Sequence, residues 1–238
     1  MSPYFSIKET QMIDNRLLKC AEYVCGGGKA ADIGTDHAYL PVYLVKNGIS
    51  PYAVACDIKD GPLNAAKATI SSSGLEDRII AVKSNGLDKV PLDGITDVII
   101  AGMGGEMISD IISRCSYLKT NKTNLVLQPM TKPHHLRRFL CENGFYIKSE
   151  SSVSSGAFCY TVINAEYRGD KIKYDDYFLY AGKLSNKSAD DRRYLSETSK
   201  KLRSAALGMK KSKDMLLKSE RLIKVSAMID EFLKEKQK

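Results

Sequence analysis

Short apolar runs alternate with helix-like segments along the first two thirds of the chain. The runs are continuous in apolar residues, which is typical of parallel strands that are covered on both faces. Strands that alternate with helices predict βαβ units, and therefore a doubly wound α/β fold with a mostly parallel sheet. We predict strands at residues 30–33, 52–56, 79–82, 97–101 and 124–128, and helices at 39–46, 63–71, 107–114 and 136–143.

The alternation stops after Gly144. Two further strand-like segments follow, at residues 145–150 and 158–166, and a Ser- and Gly-rich turn at 151–156 separates them. Consecutive strands joined in this way predict a hairpin, which would close one edge of the sheet.

The last part of the chain has no strand pattern. From Ser188 onward, apolar residues recur at spacings of three and four in a narrow stripe, which indicates a coiled-coil-like pair of antiparallel helices with a turn near 210–213. One unbroken helix is the alternative. We therefore predict two domains, at residues 1–167 and 168–238.

The composition excludes several classes of protein. Hydrophobic residues make up 43% of the chain, which is too many for a disordered protein. No apolar stretch approaches the ~20 residues of a membrane span, and the first 16 residues lack the apolar segment of a secretory signal. The six cysteines form no Cys-x-x-Cys pair, which favours buried thiols over disulfides or a zinc site. We expect a cytoplasmic protein with no bound metal and no membrane partner.

The net charge of +8 is distributed unevenly. Residues 1–165 contain 17 basic and 16 acidic side chains, whereas residues 166–238 contain 19 and 12. A basic segment of this kind favours a polyanionic partner, of which nucleic acid is the usual one, although a solvated lysine-rich helix face gives the same pattern.

Polar residues or glycines stand at the ends of five successive predicted strands. In a doubly wound sheet, a ligand binds beyond the carboxyl ends of the strands, where the strand order reverses. A single Asp-x-Gly after a strand is often only a turn, but an ordered set of five strand ends favours a ligand site. The set consists of Asp32, Asp57, Asn85, Gly102 and Gln128.

The first loop, from Asp32 to Ala38, lacks the G-x-G-x-x-G fingerprint that directs helix amides at a diphosphate. Its carboxylates, Asp32 and Asp36, would repel a diphosphate and favour a cationic or hydroxyl-bearing ligand. S-adenosylmethionine fits, because it carries a sulfonium, an ammonium and a ribose but no phosphate. Asp57 is placed to accept hydrogen bonds from ribose hydroxyls, and Asn85 offers a donor and an acceptor to an adenine edge.

These residues resemble the bacterial tRNA (adenine-N1)-methyltransferase family, which modifies adenosine at tRNA position 22. The resemblance covers essentially the whole chain, and its most specific parts are Asp-His-Ala-Tyr-Leu-Pro at 36–41 and Ala-Gly-Met-Gly-Gly at 101–105, with Leu-Gln-Pro at 127–129. The general class I methyltransferase pattern would place glycines at positions 36 and 38, where this chain has Asp36 and Ala38.

The resemblance implies a seven-stranded Rossmann-like methyltransferase fold, S-adenosylmethionine as the donor, S-adenosylhomocysteine as the product and tRNA as the acceptor. Adenine N1 would itself be the nucleophile, aligned with the methyl carbon and the sulfur. Asp36 would stabilise the positive charge that develops on the base, and His37 would position the base or relay a proton. Gly102 and Met103 would border the base.

Two sets of binding residues follow from these expectations. The expected cofactor-binding residues are Asp32, Gly34, Thr35, Asp57, Ile58, Asn85, Gly86, Ala101 and Gly102. The expected RNA-binding residues lie in a basic cluster after the fifth strand and in the tail: Lys132, His134, Arg137, Arg138, Lys200, Lys201, Arg203, Lys210 and Lys211.

Simpler roles remain open for several of these residues. His37 can be a helix-start histidine with a local hydrogen bond, Met103 can pack beneath the cofactor, and the basic cluster can be a solvated helix face. The alternative functions are a small-molecule methyltransferase whose tail mediates oligomerisation, and a noncatalytic cofactor-binding RNA module. We expect a monomer with no obligate protein partner.

Overall fold

The computed structural model describes residues 13–120, 122–209 and 213–235. Its centre is one seven-stranded sheet, formed by β1 (Lys29–Ile33), β2 (Ala53–Asp57), β3 (Ile79–Lys83), β4 (Ile95–Gly104), β5 (Asn124–Thr131), β6 (Phe145–Ser155) and β7 (Phe158–Tyr167). The strand order is β3-β2-β1-β4-β5-β7-β6. The first five strands are parallel to one another, and β7 runs antiparallel to both β5 and β6. The predicted doubly wound sheet with a closing hairpin is therefore confirmed.

The helices connect the strands and then form the C-terminal part. They are α1 (Asn15–Ala21), α2 (Tyr39–Lys46), α3 (Asp60–Ser72), α4 (Gly105–Arg114), α5 (Tyr117–Thr120), α6 (Pro133–Glu142), α7 (Asp176–Ala181), α8 (Ala189–Met209) and α9 (Lys213–Lys234). Within the described residues, none of them is both long enough and apolar enough to span a bilayer.

The continuous apolar runs are explained by burial on both faces of the sheet. In β4, Val98 and Ile100 belong to one core cluster, whereas Ile99 and Ala101 belong to another. Successive side chains of a strand point to opposite faces. Helices cover both faces here, so the stretch from Val98 to Ala101 is apolar at every position.

One local prediction needs correction, and one helix was not predicted. The sixth strand continues to Ser155, so that the turn is not the predicted segment 151–156. Its added residues pair with β7, as Val153 does with Tyr160, and a tertiary contact supports them because the Ser152 amide donates to Asp191 of α8. Helix α1 was not predicted; it is capped by Asp14, whose carboxylate accepts from the Leu17 amide.

The predicted helix pair is present and packs on the β6–β7 hairpin. Leu202 of α8 and Leu222 of α9 share one buried cluster with Cys159 of β7, which excludes a single unbroken helix. Helix α8 contacts α9 in antiparallel register, because Ser199 bonds Ser226 while Ser219 bonds the carbonyl of Ala206. The predicted turn at 210–213 lies mostly outside the described residues, and the domain division at residue 167 stays a prediction.

Candidate cofactor and catalytic site

The five strand-end residues lie along one edge of the sheet. The strand order β3-β2-β1-β4-β5 places them in the spatial sequence Asn85, Asp57, Asp32, Gly102 and Gln128. Neighbouring strands in a sheet are about 4.8 Å apart. The doubly wound topology therefore brings together residues that are distant in the chain.

Asp32 is the buried carboxylate of this edge, with 5% of its surface exposed. Its Oδ2 accepts a hydrogen bond from Thr35 Oγ1 at 2.7 Å. Burial raises the pKa of Asp32 to about 6, and the bond from Thr35 and the positive charge of Arg16 only partly oppose this increase. A buried carboxylate whose desolvation is only partly offset by its protein partners is suited to binding a cationic ligand group.

The loop after β1 has a left-handed backbone at three positions. The φ angles are 78° at Gly34, 51° at Asp36 and 57° at Ala38. Residues with side chains avoid this region, and its occurrence is concentrated at functional sites. Asp36 and Ala38 thus occupy positions where glycine would be unstrained, which explains the glycines of the general pattern at these two positions.

His37 lies between the two strained residues and is half-buried. Its ring stacks on Tyr39 with a centroid distance of 5.1 Å and an interplanar angle of 6°. His37 Nε2 is 3.8 Å from Asp36 Oδ1, and 71% of the Asp36 side chain is exposed. The carboxylate is therefore accessible beside an aromatic surface at the mouth of the site.

Met103 reaches across to the first loop. A Cβ atom added to Gly34 would lie 2.3 Å from Met103 Cε, and the φ of 78° disfavours any residue with a side chain at this position. Met103 also packs against the main core cluster. The next two glycines serve close packing: a Cβ at Gly105 would lie 2.4 Å from the Lys132 carbonyl oxygen, and one at Gly104 would lie 3.2 Å from Thr131 Oγ1.

Arg16 is a site residue that the sequence analysis missed. Its Nη1 donates to Gln128 Oε1 at 2.9 Å, and the Gly102 amide donates to the same oxygen at 3.0 Å. Its Nη2 donates to Asp14 Oδ2 at 3.1 Å. A local sequence pattern could not reveal the bond to Gln128, because the two residues are 112 positions apart. The only local signal near Arg16 was Asp14, the residue that caps α1.

Two clefts lie along this edge in the part of the chain that the structure describes. The first has a volume of about 340 Å³ and is lined by Asp14, Arg16, Asp32, Gly34, Thr35, Asp36, His37, Tyr39, Ala101 and Gly102, together with Leu17. The second, of about 270 Å³, is lined by Ile58, Lys83, Ser84, Asn85, Asp88 and Lys89. Asp57 ends the strand between β1 and β3, and its Oδ1 accepts from the Lys59 amide at 2.8 Å.

Gly86 differs from the other expected cofactor residues. It is buried, its φ is 62°, and a Cβ there would lie 2.9 Å from Ile111 Cγ1 of α4. Its carbonyl oxygen accepts from the Cys56 thiol at 3.3 Å. Helix packing therefore accounts for this glycine.

The expectation that Arg137 binds RNA is wrong. Its side chain is fully buried and forms an ion pair with Glu150, with Nη2 2.8 Å from Oε1. Arg137 Nη1 also donates to the Leu179 carbonyl at 2.7 Å. The residue lies on the inner face of α6, so the basic cluster after the fifth strand does not form one continuous basic surface.

The other members of the basic cluster have separate environments. Lys132 is exposed and forms an ion pair with Glu106 at 2.6 Å. His134 stacks on Tyr180 with a centroid distance of 5.0 Å. Burial and the charge of Arg137 lower the pKa of His134 to about 4, so its ring is neutral near pH 7. Arg138 is exposed.

The basic tail is partly available to a polyanion. Lys200 and Lys201 are exposed on α8. Arg203 forms an ion pair with Asp230, and its Nε donates to Ser226 Oγ at 2.7 Å, so it links α8 to α9. Lys210 and Lys211 lie outside the described residues. Within the described part of the chain, no cluster of three or more His, Cys, Asp or Glu side chains could hold a metal ion.

Comparison with known proteins identifies the family. Residues 13–163 match the family described as "Methyltransferase domain". The chain is 36% identical over 172 residues to a tRNA (adenine(22)-N(1))-methyltransferase of Bacillus subtilis, and this match covers 72% of each protein.

Two solved structures are similar over 93% of this chain. One is M. capricolum TrmK in complex with S-adenosyl-homocysteine, with a TM-score of 0.78, 27% identity and 99% of that chain covered. The other is a Streptococcus pneumoniae protein in complex with S-adenosyl-L-methionine, with a TM-score of 0.80, 29% identity and 100% of that chain covered. With the sequence matches, these similarities show that this chain belongs to the bacterial tRNA (adenine-N1)-methyltransferase family.

Proposed function

We propose that the protein transfers the methyl group of S-adenosylmethionine to N1 of adenosine 22 in tRNA. The observation that carries this proposal is the row of strand-end residues, with the buried carboxylate of Asp32 at its centre, in a chain of this family. The relatives with bound S-adenosyl-L-methionine and S-adenosyl-homocysteine support the choice of donor.

The residues of the two clefts fit the donor. Asp32 provides a buried negative charge for an ammonium or sulfonium group. Asp57 ends β2, the strand next to β1, where a carboxylate can accept from ribose hydroxyls. Asn85 lines the second cleft and offers both hydrogen-bonding partners that an adenine edge requires. The two clefts together thus accommodate the two ends of one elongated ligand.

Arg16 completes this assignment. Its guanidinium lines the first cleft beside Asp32, and the bonds to Gln128 and Asp14 hold it in place. A guanidinium has five donors, so some remain for a ligand. We propose that Arg16 binds the carboxylate of the methionine part of the donor. This part carries both an ammonium and a carboxylate, so it needs a negative partner, Asp32, and a positive partner, Arg16.

The donor supplies an electrophilic methyl group, whose bond to sulfur breaks as its bond to adenine N1 forms, leaving S-adenosylhomocysteine and a cationic base. The chain's own contribution is positional and electrostatic. The exposed carboxylate of Asp36 is placed to stabilise the cationic base, and His37, stacked on Tyr39, is placed to orient the ring. Gly102 and Met103 border the space that the target base enters.

The tRNA would lie across this edge and along the helix pair. Lys200 and Lys201 offer exposed charges for phosphates, which position RNA without reading its sequence. The target base must leave its stack to reach the cleft. We further propose that the enzyme works in the cytoplasm as a monomer.

The direct test is to incubate the protein with S-adenosylmethionine and unmodified tRNA, digest the RNA, and analyse its nucleosides by mass spectrometry. We expect N1-methyladenosine, mapped to position 22 by sequencing of RNase fragments. A tRNA with guanosine at position 22 is the control and should gain no methyl group. Donor binding without tRNA methylation would instead support a noncatalytic module or a small-molecule methyltransferase.

A further inference from the structure

A groove of about 490 Å³ separates the sheet edge from the helix pair. One wall is the segment from Pro129 to His134, which comprises the last residues of β5 and the start of α6. The opposite wall comes from α8 and α9, and the floor includes Tyr160 of β7. Its volume is within the range of about 300–1,000 Å³ that is typical of ligand sites.

The charges on this groove have one sign. Its described lining residues include Lys132, Lys201 and Lys218 and contain no carboxylate. Among the described residues, Lys132 pairs with Glu106 outside the groove, whereas Lys201 and Lys218 are exposed and form no ion pair. A surface of this kind attracts an anion.

Aromatic rings line the same groove. Tyr160 is half-buried there, next to the stacked pair of His134 and Tyr180. The His134 ring is neutral near pH 7 because burial lowers its pKa to about 4. Neutral aromatic faces combined with lysine charges are the recurring features of sites that hold single-stranded nucleic acid.

The groove adjoins the methyl-transfer edge directly. In the ladder between β4 and β5, Met103 pairs with Pro129 and Gly104 pairs with Thr131. The groove wall is thus one strand away from the residues that border the target base, a separation of about 4.8 Å between strand axes. An RNA strand whose target base enters the cleft would place an adjoining nucleotide at the groove.

We propose that this groove binds one unpaired nucleotide next to the target adenosine, with its base against Tyr160 and its phosphate near Lys201 and Lys218. The inference rests on the proposed function, because it places the RNA relative to the methylated base. The charge pattern favours RNA over a protein segment as the occupant. Such a subsite would hold the unstacked conformation of the RNA and contribute to the choice of substrate.

The test compares variants by their affinity for unmodified tRNA. Tyr160→Ala should weaken binding about tenfold, in keeping with the contribution of one base–aromatic stack, whereas Tyr160→Phe should retain it. Lys218→Ala should reduce the slope of log affinity against log salt by about 1. Lys224→Ala is the matched control on the same helix, because Lys224 is exposed but does not line the groove. Circular dichroism and melting curves check that each variant is folded.

A readout independent of activity comes from photo-crosslinking of tRNA with 4-thiouridine at the positions beside residue 22. Crosslinked peptides that contain Tyr160 or His134 would support the proposal. Equal affinities of Tyr160→Ala, Tyr160→Phe and Lys224→Ala for tRNA would overturn it, even if the wild-type protein methylates position 22. Absence of methylation by the wild-type protein would overturn the proposed function instead, while crosslinks at Tyr160 would still support an RNA-binding groove.

Discussion

Arg16 Nη1 and Gln128 Oε1 are joined by a 2.9 Å hydrogen bond that connects α1 to β5. The same oxygen accepts from the Gly102 amide. One side-chain carbonyl therefore holds both the cation that lines the first cleft and the backbone of β4 at Gly102. Gln128 is fully buried, so its geometry is well determined by packing.

Gln128→Ala should weaken the binding of S-adenosylhomocysteine by roughly 10- to 100-fold. The substitution removes an acceptor from a charged donor, a contact that contributes about 1.5–3 kcal/mol, and it removes the acceptor of the Gly102 amide. Isothermal titration calorimetry measures the effect. Gln128→Glu retains the acceptor for Arg16 but loses the Nε2 donor to the Pro129 carbonyl, so its affinity should lie between those of the alanine variant and the wild type. Equal affinity in the alanine variant would show that Arg16 needs no support from this residue.

Donor affinity should depend on pH through Asp32. Because burial raises the pKa of Asp32 to about 6, the carboxylate is ionised at pH 7 and becomes protonated as the pH falls to 5. A protonated Asp32 attracts a cation less than the carboxylate does. The affinity for the donor should therefore decrease below pH 6, by at most about tenfold per pH unit. Titrations between pH 7 and 5 check this, with Asp32→Asn expected to be weaker throughout and without this dependence.

The same buried charge should reduce stability. A raised pKa means that the native state holds the Asp32 proton more tightly than the unfolded chain does, so stability decreases between about pH 4 and 6 and stays lower above that. The ordinary pKa of 3.8 and the raised value near 6 correspond to a cost of up to about 3 kcal/mol at pH 8. Asp32→Asn should increase the free energy of unfolding, measured with urea, by part of this cost at pH 8 and by little at pH 4. A less stable variant at pH 8 would contradict this account.

Asp36→Asn should lower kcat about 100-fold while the Kd for the donor changes little. The carboxylate is exposed at the mouth of the cleft, and its charge is needed only when the base becomes cationic. The comparison requires single-turnover methylation rates beside donor titrations. A loss of donor affinity as large as the loss of rate would make Asp36 a donor-binding residue instead.

Arg137→Leu should destabilise the fold by about 3–5 kcal/mol, because it leaves Glu150 as a buried, unpaired charge. Replacing both residues, as Arg137→Leu with Glu150→Leu, should restore much of this loss. Arg138→Ala is the exposed neighbour and should change stability by less than about 0.5 kcal/mol. Urea unfolding measures all three. A stable Arg137→Leu protein with weakened tRNA binding would return Arg137 to the RNA surface.

Local patterns predicted the elements of this fold well. The apolar runs identified the strands, because burial on both faces favours consecutive apolar positions in the middle of β4, as Val98, Ile99 and Ile100 show. The extent of β6 was underestimated, since its serines carry no apolar signal. Their pairing with β7 and the contact to Asp191 keep them in the sheet. A local pattern does not contain these contacts.

The sequence by itself determined the doubly wound sheet, the acidic first loop and the row of strand-end residues, because these follow from short-range periodicity and from the ends of strands. Only the tertiary structure decided which charged side chains face a ligand. It turned Arg137 inward to Glu150, brought Arg16 to Gln128 and formed the groove around Tyr160. Each of these results depends on contacts between residues far apart in the chain, whose energies are set by burial and geometry rather than by neighbouring residues.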